Sequence, residues 1–171
     1  MKIVPIFVEN LYACQYNGEA HNEYARIMDL WDDVLYLREY AQENNISDMR
    51  GFVMEVRTNA RYIDDLIEHI NKGHALLETF FRPLNDLESG TKVLSLQKGK
   101  RYQLRIYAIR LDVNLFIITG GAIKLVHKMK EHQDTQIELV KLNHVKTYLK
   151  NNFVFDSDSF YELMNENYED E

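Results

Sequence analysis

The hydrophobic pattern of this chain switches period between its central helical stretch and the strands that follow, and that switch limits the folds open to it. Between Asn22 and Ile70 the apolar residues recur at three- and four-residue steps. They are Tyr24, Ile27, Met28, Trp31, Leu35 and Tyr40, then Phe52, Val56, Ile63, Leu66, Ile67 and Ile70. That spacing puts each set on one stripe of an amphipathic helix. From Tyr102 to Leu111 the step is two, so alternate side chains point to opposite faces of a strand. Helices followed by strands, rather than alternating with them, indicate an α+β domain.

The remaining segments fill in the order. Residues from Ile3 to Tyr16 read as one or two strands interrupted near Glu9-Asn10. The first helix is expected to end near Asn44-Asn45, with Ser47 capping a second that stops at Asn71-Lys72-Gly73. A meander follows: Lys92 to Gln97, a turn at Lys98-Gly99-Lys100, Tyr102 to Leu111, a tight connection at Asp112-Val113-Asn114, and Leu115 to Thr119, stopped by Gly120-Gly121. Thr135-Gln136-Ile137-Glu138 has the form of a capping box and opens a last helix running to about Lys150. The expected order is β-α-α-β-β-β-α, an antiparallel meander sheet with helices on one face and the other face open to solvent or ligand. Residues 1–152 then form the domain, and 153–171 an acidic tail anchored only by Phe153, Phe155 and Phe160.

Composition narrows the function classes. The longest apolar stretch, Leu115 to Ile123, has nine residues, far short of the roughly 20 needed to span a bilayer. A single cysteine, Cys14, excludes an intramolecular disulfide framework, and in its apolar surroundings an inert buried thiol is expected. A cytoplasmic protein without membrane contact is the expectation. The six histidines are scattered without metal-ligand spacing, so no metal or other cofactor is expected. Net charge is −7, which argues against general affinity for polyanions. Position qualifies this: nine basic residues and one acid lie between Lys92 and Lys130, whereas Asp156 to Glu171 holds seven acids and no base. A basic sheet region in an acidic protein points to a local anionic partner.

Strand parity makes that statement specific. Leu104, Ile106 and Ala108 form the set suited to packing under helices. Arg101, Gln103, Arg105 and Tyr107 form the opposite set, joined by Lys98 and Lys100 at the turn and by Lys124, His127, Lys128 and Lys130 after the next strand. Two guanidiniums and a phenol suit a phosphate, because arginine offers a planar fork of permanent charge. A solvated polar face with a tyrosine covering aliphatic stems fits the same pattern.

Leu104-Arg105-Ile106-Tyr107-Ala108-Ile109-Arg110, the short turn, Phe116 to Lys124 and the following helix resemble the RelE/HigB-like toxins of bacterial type II toxin–antitoxin systems. The resemblance covers about Phe80 to Lys150, and of the family's lysine pair only Lys124 is present. It implies a toxin-like, metal-independent, ribosome-dependent mRNA endoribonuclease (an mRNA interferase) held in check by a cognate antitoxin protein. On that resemblance Arg105, Tyr107, Lys124 and His127 are the expected catalytic residues. Lys98, Lys100, Arg101, Arg110, Lys128 and Lys130 are the expected RNA contacts. Scission requires these groups to converge on an open face. The alternative is a non-catalytic interaction module of the same fold, whose basic face binds an acidic protein partner or its own acidic tail. A homo-oligomer built through the aromatic-rich N-terminal part is a third expectation.

Overall fold

The computed structural model describes residues 1–73, 77–83, 91–95, 102–125 and 133–169. The chain runs β1 (Lys2–Pro5), β2 (Leu11–Gln15), α1 (Glu23–Asp32), α2 (Val34–Glu43), α3 (Met49–Asn71), a 3-10 turn at Leu77–Thr79, β3 (Phe81–Pro83), β4 (Thr91–Ser95), β5 (Tyr102–Asp112), β6 (Leu115–Leu125), α4 (Gln133–Asn151) and α5 (Ser157–Glu169). The class is α+β, as the change of period implies.

One six-stranded sheet has the order β1-β2-β6-β5-β4-β3. The meander β4-β5-β6 is antiparallel, whereas β2 joins β6 in parallel, so the sheet is mixed rather than purely antiparallel. The chain's two prolines fall in the two outermost strands, Pro5 in β1 and Pro83 in β3. β5 and β6 turn over Val113-Asn114, where Asn114 takes φ 57°, a conformation asparagine tolerates better than most residues. Strand β6 runs through Gly120-Gly121 to Leu125 instead of stopping there. Its register with β5 shifts twice: Tyr107 pairs with Gly120 and Ala108 with Ile118, leaving Thr119 as the extra residue of a bulge, and Arg110 pairs with Phe116 but Asp112 with Leu115, leaving Leu111 over.

The long first helical pattern is broken at Asp33. Its N–H closes α1 on Asp29 O at 2.9 Å, while its carboxylate accepts from Leu35 N at 2.8 Å and Tyr36 N to start α2. One residue ends one helix and begins the next. The cap of α3 is Asp48, which accepts from Gly51 N, and not Ser47.

Helices cover both faces of the sheet, which corrects the one-face expectation. Leu104, Ile106, Ala108, Phe116 and Ile118 pack beneath α1–α3, against Ile27, Trp31, Phe52, Ile63 and Ile67. This is the face that alternation assigned to helices. On the opposite face Tyr107, Ile109, Leu115 and Ile117 pack against Leu142, Val145 and Leu149 of α4 and Phe160, Leu163 and Met164 of α5. Residues 157–169 therefore form a packed helix, not an acidic tail. The physical reason is spacing: Phe160, Leu163 and Met164 sit at i, i+3 and i+4 and make one apolar stripe. Asp158, Glu162 and Glu166 lie off that stripe and are exposed.

α4 ends where the pattern places it. Val154 N bonds Leu149 O at 2.9 Å and Phe153 N bonds Lys150 O at 3.1 Å. This is the Schellman arrangement, whose left-handed position favours glycine. Here Phe153 occupies it with φ 57° and is largely exposed. Phe153→Gly is expected to raise stability by about 1 kcal/mol, since a left-handed conformation costs an L-residue about 1–2 kcal/mol and glycine's added chain entropy takes back part of that. A thermal melt should show a rise of roughly 2–4 °C.

Candidate functional site

Register decides which of the expected site residues share a face. Arg105 pairs with Ala122, Gln103 with Lys124 and Tyr107 with Gly120, and residues paired across neighbouring strands lie on the same side of the sheet. Arg105 and Lys124 are thus diagonal neighbours on the α4 side. Both are partly exposed. Arg105 Nε is buried without a hydrogen-bond partner.

Two of the expected assignments are corrected. Tyr107 is on the right face, but at 1% exposure it lies sealed in the core beneath α4 and α5. It cannot reach a nucleotide. Arg110 belongs to the other face, because it lies five positions beyond Arg105 on the strand and an odd step reverses direction. Its guanidinium is held by Glu78 at 2.5 Å and by Asp112 O at 3.2 Å. Lys98, Lys100, Arg101, His127, Lys128 and Lys130 lie outside the described residues. On that side the described ends of β5 and β6 are Tyr102 and Leu125, which pair with each other.

The structure also assembles a cluster that sequence spacing did not flag. Glu23, the first residue of α1, is 1% exposed and lies under the N-terminal turn where a carboxylate is favoured. Arg26, one turn later, grips it with two bonds of 2.7 and 2.8 Å. Lys141 of α4 bridges Glu23 Oε2 at 3.0 Å and Glu138 Oε1 at 3.1 Å. Glu138 is 5% exposed, and its Oε2 has no hydrogen-bond partner. With α4 already under way at Gln133, Glu138 is not at the third helical position, and its carboxyl reaches over β6 instead. Gly120 makes the room: a Cβ there would overlap Glu138 Oε2 and come within 3.1 Å of Glu23 Oε2.

Electrostatics follow from this geometry. Burial, with Glu23 beside it, holds Glu138 up at about 7 against the opposing pull of Lys141 and Arg26. The Arg26 guanidinium is held above its ordinary value by its bond to Glu23. Burial, with Cys14, Glu23 and Glu138 nearby, pushes the Tyr16 phenol upward, and its hydroxyl donates to Thr119 O at 2.9 Å. Cys14 is buried and pushed up to about 12, chiefly by desolvation, so it stays a thiol at neutral pH. Leaving a buried acceptor such as Glu138 Oε2 unpaired costs about 1–3 kcal/mol.

Two openings flank the cluster. One, of about 330 Å³, is bounded by Tyr16, Glu19, Glu23, Arg26, Lys141 and His144. The other, of about 180 Å³, lies along the edge of β6 past Ile118, where the pairing with β2 has ended. Arg26, Trp31, Tyr36, Tyr40, Ala122 and Glu138 line it, and Tyr40 OH donates to Ile123 O at 3.2 Å. Among the described residues no group of three or more His, Cys, Asp or Glu side chains is placed to hold a metal ion, and no described helix is long and apolar enough to cross a membrane. Comparison with protein-family models, with curated proteins and with solved structures finds no match.

Proposed function

We propose that this chain is a toxin-like RNA-binding protein of the RelE/HigB-like kind, cutting ribosome-bound mRNA and restrained by a cognate antitoxin. One observation carries the reading: the β5–β6 register sets Arg105 and Lys124 as diagonal neighbours on one face, beside the strand ends that lead into the other basic residues. The element order lends support. With β1, β3, α5 and one helix of the α1–α3 layer set aside, β2-α-α-β4-β5-β6-α4 is the order that the resemblance implies.

In this reading Arg105 and Lys124 hold the scissile phosphate. The ribose 2′-hydroxyl loses its proton as its oxygen bonds to phosphorus. The bond from phosphorus to the 5′-oxygen breaks, and that oxygen takes up a proton. The two cations offset the charge gathering on the phosphoryl oxygens, which is where fixed charges contribute most. Tyr107 has no part in the step. Expression in a bacterial host is expected to arrest growth with cleavage of ribosome-bound mRNA. Arg105→Ala should cut the cleavage rate by about a hundredfold or more, while Tyr107→Phe should leave it within about twofold. Uninterrupted growth with intact polysomes would remove this function.

The burial of Tyr107 favours a second reading, in which the same face binds its anionic partner without cutting it. Salt-sensitive RNA binding with no cleavage products would favour that version over the first.

A further inference from the structure

Asn17-Gly18 is the only Asn-Gly pair in the chain. It forms the middle of the turn that follows β2, closed by Glu19 N on Tyr16 O at 3.1 Å. Gly18 takes φ 85°, a conformation that suits glycine. Both residues are exposed, and a Cβ built on Gly18 would meet nothing within 4 Å. The chain just beyond is braced instead: Gln15 Nε2 donates to Glu19 O at 3.0 Å and to Ala20 O at 3.3 Å.

This placement joins what an intramolecular attack needs. The Asn17 side-chain amide offers an electrophilic carbon. Its Oδ1 accepts from Met1 N, a contact that draws electron density away from that carbon. The Gly18 backbone nitrogen is covalently held beside it, so ring closure has no encounter cost. With no Cβ on Gly18, the nitrogen is unshielded, and the open space around it admits water.

We propose that Asn17-Gly18 is a site of spontaneous modification in the folded protein, converted through a cyclic imide to aspartate and isoaspartate with water as the only co-reactant. The Gly18 nitrogen loses its proton and bonds to Asn17 Cγ. The bond from Cγ to the side-chain nitrogen breaks, and that nitrogen leaves as ammonia with the proton. Water then opens the ring. Breaking the bond from Gly18 N to Cγ gives aspartate. Breaking the bond from Gly18 N to the Asn17 carbonyl carbon gives isoaspartate, whose main chain runs through Cβ and Cγ. One water is consumed, one ammonia is released, and nothing is oxidised or reduced.

The two products act differently on the fold. Aspartate keeps the backbone of the turn. Isoaspartate lengthens the loop that Glu19 N and Tyr16 O close, and both of those residues line the opening of about 330 Å³. The isoaspartyl form therefore loses that bond and shifts one wall of the opening. None of this depends on whether the chain cuts RNA.

Incubation of the full chain at mildly alkaline pH, followed by peptide mapping with mass spectrometry, is expected to find residue 17 converted. Asn44, which donates to Tyr40 O and precedes another asparagine, should stay intact. Gly18→Ala should slow the conversion by at least about tenfold, through its Cβ and the strained turn. The isoaspartyl fraction, isolated by chromatography, should melt about 2–4 °C below Asn17→Asp, which carries the same charge on an unaltered backbone. A full chain unchanged at residue 17, under conditions that fully convert a free peptide of residues 15–20, would overturn the site. An unchanged rate in Gly18→Ala would overturn the ring-closing route. Equal melting of the isoaspartyl fraction and Asn17→Asp would overturn the effect on the turn.

Discussion

Removing residues 153–171 is expected to abolish cooperative folding. Val154, Phe160, Leu163 and Met164 are all buried in the layer that α4 and α5 form over the sheet. Full burial of such side chains contributes about 1.5–3 kcal/mol each, so four of them contribute roughly 6–12 kcal/mol. A domain's whole stability is commonly about 5–15 kcal/mol. The loss also uncovers Tyr107 and Ile117, which are buried in the intact chain. Urea unfolding followed by circular dichroism should show a broad, early transition for the chain ending at Asn152. A sharp transition at the full-length midpoint would mean that α5 is an appendage. Any gain of RNA affinity on truncation then has to be measured against a folded reference, because an exposed core binds indiscriminately.

Glu138→Gln is expected to reverse its effect on stability with pH. The folded carboxyl titrates near 7, against 4.5 for an ordinary glutamate. Between those values the native state holds a proton that the unfolded chain has released. Stability therefore falls as pH rises from about 4.5 to about 7, by up to about 3 kcal/mol, and is level above that. Glutamine carries no such slope. The groups that face Glu138 set the magnitude: Glu23 and Arg26 from α1, Lys141 from its own helix, and Tyr16 from the segment after β2. At pH 8 the variant should exceed the parent by about 2 kcal/mol, and at pH 4.5 the sign should reverse, with the parent ahead by about 1 kcal/mol. Parallel urea titrations at the two pH values check this. An identical pH dependence in both proteins would mean that Glu138 is ionised throughout.

Part of this arrangement is legible in the chain itself. Alternation along β5 sorted Leu104, Ile106 and Ala108 correctly, because a strand's two faces are a local property. What covers the second face is not local. Seven acids between Asp156 and Glu171 look like a solvated tail, and only the spacing of Phe160, Leu163 and Met164 betrays the helix inside them. The site divides in the same way. Arg105 and Lys124 were legible because they sit on one hairpin. Glu23 and Glu138 are brought together by the sheet from opposite ends of the domain, and no spacing in sequence marks them. Thr135-Gln136-Ile137-Glu138 even has a sufficient local explanation, which hid the longer reach of its glutamate. The one available hint was Gly120-Gly121: two glycines within a β-branched strand signal a bulge or a close approach, and here both occur.

The position of the two prolines carries a consequence for how the protein behaves at high concentration. An outermost strand offers a row of free backbone groups that a second molecule can continue, which is a common route to fibrils. Proline has no N–H to offer there, and both ends of this sheet carry one. Replacing Pro5 or Pro83 with a β-branched residue would leave the monomer's fold intact while removing its guard against polymerisation.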